Sequence, residues 1–396
     1  MTTPIECIFL KDVDITADGH LTHCCKMNMV IPFTKKDITE DPLWFMNNPV
    51  STRIRDDFKN GIRNSACTEC WKAEDAGIDS HRTLHLNQIN EATTFSMNVQ
   101  LPGYCNGTCF YCSPDLSSSI ASYRAWIDHA GEEMKPVAAT LNVAADMSDI
   151  ANFVDALELT GPYASVSFTG GEPFLQDNFS ERLPLLINAF FKTQQRANYL
   201  RGLEIIVSTN CNTKLGYLDN FYNLIDELNK KYNNKIIISI NVSIENTEAK
   251  AEYCRGIDWD NFINTLNYHF KRAVSVSVKP TFNVLTVTNL PEYIKFLSDY
   301  DFKYINWGAV NQTFMRVDVL DTSFCKYVDD AINVANNMHS ENKEKLITYM
   351  NQLNALIGTN TVEAAKFKQT ITALDKIKGT DVLSAFPEMK EWFDSL

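Results

Sequence analysis

The chain has 396 residues, 45% hydrophobic and 21% charged, a composition that supports a well-buried core in one large or two moderate domains. Its formal net charge of −13 disfavours nucleic acid as a partner, because phosphate contacts need clustered Lys and Arg. No apolar stretch reaches the length of a membrane span and no signal-like segment opens the sequence, so the cytoplasm is the expected compartment; eleven unevenly spaced cysteines then point to metal ligation and away from a disulfide framework.

The first region, residues 1–90, holds Cys7, Cys24, Cys25, Cys67 and Cys70. Its pattern predicts a hairpin with Cys7 on one strand, a turn at Asp18-Gly19 and Cys24 near the end of the return strand. A helix from Val50 to Asn60 then leads to Cys67-Thr68-Glu69-Cys70-Trp71. Four thiolates from separate elements suit either an Fe–S cluster or a zinc ribbon. His20, His23, His81 and His85 lie nearby, and polar hairpin and helix positions account for them without a ligand role.

Residues 94–310 alternate strand and helix patterns. Strands are expected at Phe95–Leu101, Ser165–Thr169, Leu203–Thr209, Ile236–Val242, Val274–Leu285 and Tyr304–Val310, with amphipathic helices such as Leu218–Lys230 and Trp259–Phe270 between them. Repeated βα units give a parallel sheet with right-handed crossovers, and this number of strands suits an open, partial (β/α)6 barrel better than a closed eight-stranded one. The fold class is therefore α/β, with a small Cys-rich domain before the barrel. After it, residues 322–396 read as amphipathic helices, for instance Val328–Met338 and Lys343–Ile357, that pack over the barrel or mediate assembly.

Chemistry in such a layout belongs at the carboxyl ends of the strands. The first strand leads into Cys105-Asn106-Gly107-Thr108-Cys109-Phe110-Tyr111-Cys112, a C-x3-C-x2-C loop followed by a Ser-rich helix start at Ser117–Ser119. Such a loop supplies three thiolates and leaves one iron of a cubane with an open position; a zinc knuckle and reduced cytosolic thiols are the alternatives. The second strand ends in Thr169-Gly170-Gly171-Glu172-Pro173, the third in Ser208-Thr209-Asn210-Cys211-Asn212, and the fourth in Ser243-Ile244-Glu245 followed by Tyr253-Cys254-Arg255-Gly256. The fifth carries Asn283-Val284, and the sixth Asn306 and Trp307.

The cysteine spacing and the order of these strand ends resemble the radical S-adenosylmethionine (SAM) superfamily. That resemblance implies that Cys105, Cys109 and Cys112 hold a [4Fe-4S] cluster whose open iron binds SAM, which is reductively cleaved to a 5′-deoxyadenosyl radical. It further implies that Gly170, Gly171 and Glu172 hold the SAM amino group, that Ser208, Asn210 and Ser243 approach the ribose, and that Arg255 meets the methionine carboxylate. Tyr111 and Asn283 would border the adenine. Cys211 stands where the family commonly has glycine. Cys211 and Cys254 are either buried small hydrophobes or hydrogen-atom donors to a substrate radical.

The order Cys7, Asp18-Gly19, Cys24, Cys67 and Cys70 resembles the SPASM or Twitch auxiliary-cluster module, here placed before the barrel, with Cys24 rather than Cys25 as the implied ligand. The run C-W-x2-E-x2-G-x2-S-x-R from Cys70 to Arg82 is similar to a group of Twitch-bearing relatives. These resemblances imply a second Fe–S cluster acting as an electron relay and an electron donor such as flavodoxin or ferredoxin. The implied substrate is a peptide or protein side chain, with a small metabolite, sugar or nucleotide-linked compound as the alternative. A non-catalytic Fe–S or zinc scaffold is the reading from another class.

Overall fold

The central strand follows directly from its alternation: Phe95, Met97, Val99 and Leu101 are buried, while Ser96, Asn98 and Gln100 on the other face are only half-buried. The structure is a computed structural model that describes residues 5–7, 10, 12–15, 21–24, 27, 44–75, 80–86, 93–101, 103–112, 114, 116–123, 147–157, 162–176, 179–193, 198–310 and 312–396. The expected turn at Asp18-Gly19, together with His20 and Cys25, lies outside these residues.

The main strands are β1 (Val13–Ile15), β2 (Leu21–Thr22), β3 (Thr93–Leu101), β4 (Tyr163–Gly170), β5 (Gly202–Thr209), β6 (Ile236–Val242) and β7 (Ser275–Val278). They form one mostly parallel sheet in the order β2-β1-β3-β4-β5-β6-β7. β2 is antiparallel to β1, whereas β1 runs parallel to β3 with Val13 opposite Met97. The N-terminal hairpin therefore extends the sheet at the β3 edge.

Two of the six expected barrel strands come out differently. The run 274–285 is split into β7 and β8 (Thr281–Phe282) by Lys279-Pro280, where proline has no N–H to give a ladder. The run 304–310 keeps an isolated parallel bridge, Val278 to Ile305, and a two-residue strand β9 (Gly308–Ala309) that pairs with β8 in a separate small sheet. The other four fall within two residues of their expected bounds at either end.

The chain forms two compact units that interleave in sequence. The first comprises residues 1–102, 139–207 and 219–238. It contains β1 to β4 and most of β5, with helices Met147–Ala156 and Phe179–Phe190 packed on one another. Phe168, Phe174, Phe179 and Phe221 pack together here, with ring centroids 5.1 to 6.3 Å apart in the three pairs linking Phe168, Phe179, Phe174 and Phe221 in turn.

The second unit comprises residues 103–138, 208–218 and 239–396. Its C-terminal helices include Cys325–Ala335, Lys343–Leu356 and Ala364–Lys378, and the last of these braces helix Glu248–Arg255. The Tyr253 hydroxyl donates to Asp375 Oδ1 at 2.9 Å, and Lys378 Nζ donates to the Tyr253 carbonyl at 3.3 Å. No helix among the described residues is long and apolar enough to cross a membrane.

One core residue of this unit gives the fold a pH dependence. His269, in helix Trp259–Arg272, is fully buried, and desolvation lowers its pKa to about 3. Folding therefore keeps it neutral, while the unfolded chain takes up a proton below pH ~6.5. The stability this contributes is complete above that pH and is lost as pH falls toward the folded value. Denaturant titrations at pH 7 and pH 5 should show a wild-type loss about 2 kcal/mol greater than that of His269→Gln. Equal losses would refute it.

Candidate functional site

Backbone bonds first fix the cysteine loop of the second unit. Thr108 N–H donates to the Arg255 carbonyl at 2.8 Å and Phe110 N–H to the Cys254 carbonyl at 3.2 Å. Both acceptors are carbonyls of the last turn of helix Glu248–Arg255, which lack helical partners of their own. Gly256 ends that helix in the left-handed region, with φ +62°. The three serines of 117–119 hold the other side of the loop. Ser117 caps a short helix by accepting from Ile120 N–H and donates to the Gly107 carbonyl at 2.9 Å, while Ser119 donates to the Cys105 carbonyl at 2.8 Å.

Donors are already aimed at one thiol. Gly107 N–H lies 3.3 Å from Cys105 Sγ, and Asn210 Nδ2 lies 3.7 Å from it. Asn210 also donates to Asn106 Oδ1 at 2.9 Å and accepts Asn212 N–H at 2.8 Å, so it joins the third strand end to the cysteine loop. Cys109 is buried against the Arg255 carbonyl, 4.0 Å from its sulfur, and that burial pushes its thiol pKa up.

Beside the loop, two expected residues, Arg255 and Tyr111, join Glu245, to which the sequence assigned no role, in a hydrogen-bonded triad. Arg255 Nη1 donates to Glu245 Oε2 at 2.8 Å and also to the Tyr111 hydroxyl, while Tyr111 donates to Glu245 Oε1 at 2.7 Å. Burial raises the pKa of Tyr111 well above the ordinary phenol value, so the hydroxyl remains a donor. Burial also pushes the Glu245 carboxyl up, opposed by the guanidinium beside it. Gln312 adds a bond from its Nε2 to the Tyr111 carbonyl at 3.3 Å.

The remaining expected residues divide. Arg255 Nε and Ser208 Oγ are buried without a hydrogen-bond partner among the described residues, so each has capacity for a ligand. Ser243 N–H donates to the Thr209 carbonyl at 2.9 Å, beside Ser208. Asn283 is consumed locally: its Oδ1 accepts Leu285 N–H at 2.9 Å and its Nδ2 donates to the Thr281 carbonyl at 3.0 Å, forming a turn. Asn306 accepts from Lys345 Nζ at 3.1 Å, and Trp307 stacks on Phe282 with ring centroids 4.0 Å apart.

Cys211 takes a left-handed φ of 54° and is fully buried, which gives a physical reason for glycine at such a position. Cys254 is equally buried and receives Asn246 Nδ2 at 3.3 Å from its sulfur.

Gly170 and Glu172 belong to the first unit. Gly170 has φ +103°, and a Cβ there would lie 2.3 Å from the Leu101 carbonyl oxygen, so only glycine lets β4 end in register beside β3. Glu172 is buried and caps the turn Pro173–Leu175 by accepting Phe174 N–H at 3.3 Å.

The N-terminal cysteines also converge within the first unit. Asn48 caps helix Pro49–Lys59 at Val50 and Ser51, and that helix buries Ile54 and Phe58 against Cys70 and Trp71. Cys67 ends a 3-10 turn and Cys70 lies in the first turn of helix Thr68–Asp75, three positions on and so on one face. Cys7, Cys24, Cys67 and Cys70 line one cavity of about 20 Å³. Burial, then the proximity of Cys7 and Cys70, pushes the Cys67 thiol up to about 12.

The motif running from Cys70 to Arg82 closes on itself beside this cavity. Arg82 grips Glu74 through two bonds of 3.0 and 2.8 Å, Ser80 donates to the same carboxylate at 2.6 Å, and the guanidinium stands 5.5 Å from the centre of the Trp71 ring. His23 lines the cavity but has both ring nitrogens engaged, by Ser51 Oγ at 2.8 Å and the Asp12 carbonyl at 3.2 Å, and burial lowers its pKa to about 4.

Among the described residues, no three His, Cys, Asp or Glu side chains surround a single ion position. A cubane makes no such demand, since each thiolate binds a different iron, and the four-thiol and three-thiol donor sets match that chemistry.

No protein-family model matches the chain, and no curated protein matches it. Among solved structures it is similar to native anSMEcpe with bound AdoMet, at 13% identity over 61% of this chain and 60% of that one, with a TM-score of 0.42. It is also similar to Streptococcus suis SuiB bound to S-adenosylmethionine, at 14% identity over 85% of this chain and 72% of that one, with a TM-score of 0.38. The chain spans about three fifths of the length of the anSMEcpe chains it matches.

Proposed function

We propose that this chain is a radical SAM enzyme with an auxiliary Fe–S cluster. The observation that carries the reading is the second unit's loop of three thiols, Cys105, Cys109 and Cys112, held on the turn that also bears Arg255, whose buried Nε has no partner among the described residues. A cubane and SAM, when bound, supply one-electron reductive cleavage to a 5′-deoxyadenosyl radical.

The protein's part is to bind, orient and shield. Cys105, Cys109 and Cys112 ligate the site cluster, with Gly107 N–H and Asn210 Nδ2 stabilising the Cys105 thiolate. The Nε edge of Arg255 suits the methionine carboxylate, because a guanidinium presents paired donors to that shape. Ser208, with Ser243 beside it, serves the ribose, and Tyr111 flanks the adenine. Cys7, Cys24, Cys67 and Cys70 ligate the auxiliary cluster, whose role is electron relay. The substrate would be a peptide or protein side chain, as the resemblance of the N-terminal module implies.

Anaerobic reconstitution is expected to give iron and sulfide for two cubanes, and dithionite with SAM is expected to yield 5′-deoxyadenosine. A fully reconstituted sample that makes none would overturn the reading. Tightly held zinc without iron would establish a scaffold instead.

A further inference from the structure

The geometry points to Glu245 and Tyr111 as the residues that position Arg255 and couple its free edge to the cysteine loop. This deepens the function proposed above and rests on it. The bonds form a closed three-membered ring: Arg255 Nη1 to Glu245 Oε2, Arg255 Nη1 to the Tyr111 hydroxyl, and that hydroxyl to Glu245 Oε1. Both N–H groups of Nη1 are thereby used, as are both carboxylate oxygens of Glu245 and both the donor and an acceptor site of the phenol. Rotation of the guanidinium would break two bonds inside a site where Glu245 is 0% and Arg255 6% exposed. An unpaired charge there is costly, so the orientation is fixed and the Nε edge is left over for a ligand.

The same ring reaches the metal-binding loop along two routes. Tyr111 lies between Cys109 and Cys112 in the chain, and the Arg255 carbonyl holds Thr108 N–H at 2.8 Å. Anything bound at Nε therefore sits on a part that also sets the cysteine positions. Glu245 is hydrogen-bonded to Arg255 Nη1 and to the Tyr111 hydroxyl, and it acts as a positioning residue through those two groups.

A double-mutant cycle on the anaerobically reconstituted full chain tests this, with SAM affinity from equilibrium binding and the electron paramagnetic resonance spectrum of the reduced cluster with and without SAM as readouts. Glu245→Gln and Tyr111→Phe should each raise the Kd for SAM about tenfold or more with iron content unchanged, and the double variant should be no weaker than the worse single one. Wild-type affinity in either single variant, or strict additivity in the double, overturns the coupling. Should Glu245→Gln fail to fold, Tyr111→Phe decides alone, because it removes one hydroxyl and keeps the ion pair. A wild-type protein whose spectrum does not respond to SAM overturns the proposed function itself, a different result from wild-type response with unaffected variants.

Discussion

Gly256→Ala is expected to release the cysteine loop and to cost the second unit about 2–4 kcal/mol. Two effects add. A left-handed φ of +62° costs a non-glycine residue about 1 kcal/mol. The new Cβ would also stand 2.0 Å from Thr108 Oγ1, 3.2 Å from Thr108 Cβ and 3.3 Å from its backbone nitrogen. A rotamer change can withdraw the hydroxyl, but the other two contacts move only if the loop backbone moves. That movement lengthens the 2.8 Å bond from Thr108 N–H to Arg255, and the anchor of Cys105 and Cys109 goes with it. Denaturant melts and iron content after reconstitution both report the effect. Adding Thr108→Gly removes the Oγ1 and Cβ contacts and should recover more than half of the lost stability; no recovery would show that the clash is not the cause.

Cys109→Ala should have the largest effect on chemistry. The buried sulfur is small, so its loss costs the fold only about 1 kcal/mol. With two thiols left in the loop, the site cluster is not retained: iron should fall from about eight to about four per chain, and 5′-deoxyadenosine should drop at least about a thousandfold. Cys67→Ala should remove a comparable amount of iron while leaving SAM cleavage measurable, because its cysteines belong to the other donor set. Full iron in Cys109→Ala would refute the assignment of that loop, and full iron in Cys67→Ala would refute the assignment of the N-terminal set.

Much of this was legible locally. The helix expected over 218–230 is Leu215–Lys231, and the one over 50–60 is Pro49–Lys59, because apolar spacing and capping residues act within a few positions. Pro280 is a visible signal for the broken fifth strand, but the alternation of Val274, Val276 and Val278 resumes at Phe282 and Val284 and hides the break. Glu245 gave no such signal. As a lone acidic residue after a strand it resembles any solvated carboxylate, and its partner Tyr111 is 134 positions away. Gln312 is 201 positions from the carbonyl it caps.

The sequence by itself determined the donors and their local order: the three-thiol loop, the glycine after β4, the serines that follow the cysteines, and the spacing from Cys70 to Arg82. Only the tertiary structure decided which polar atoms are consumed, leaving Arg255 Nε and Ser208 Oγ without partners among the described residues while closing Asn283 into its own turn. The physical reason is one of range. Turn chemistry and side-chain periodicity act over a few residues, whereas a buried charge is neutralised by whatever distant group the fold brings within hydrogen-bond reach, here Glu245 and Tyr111 against Arg255.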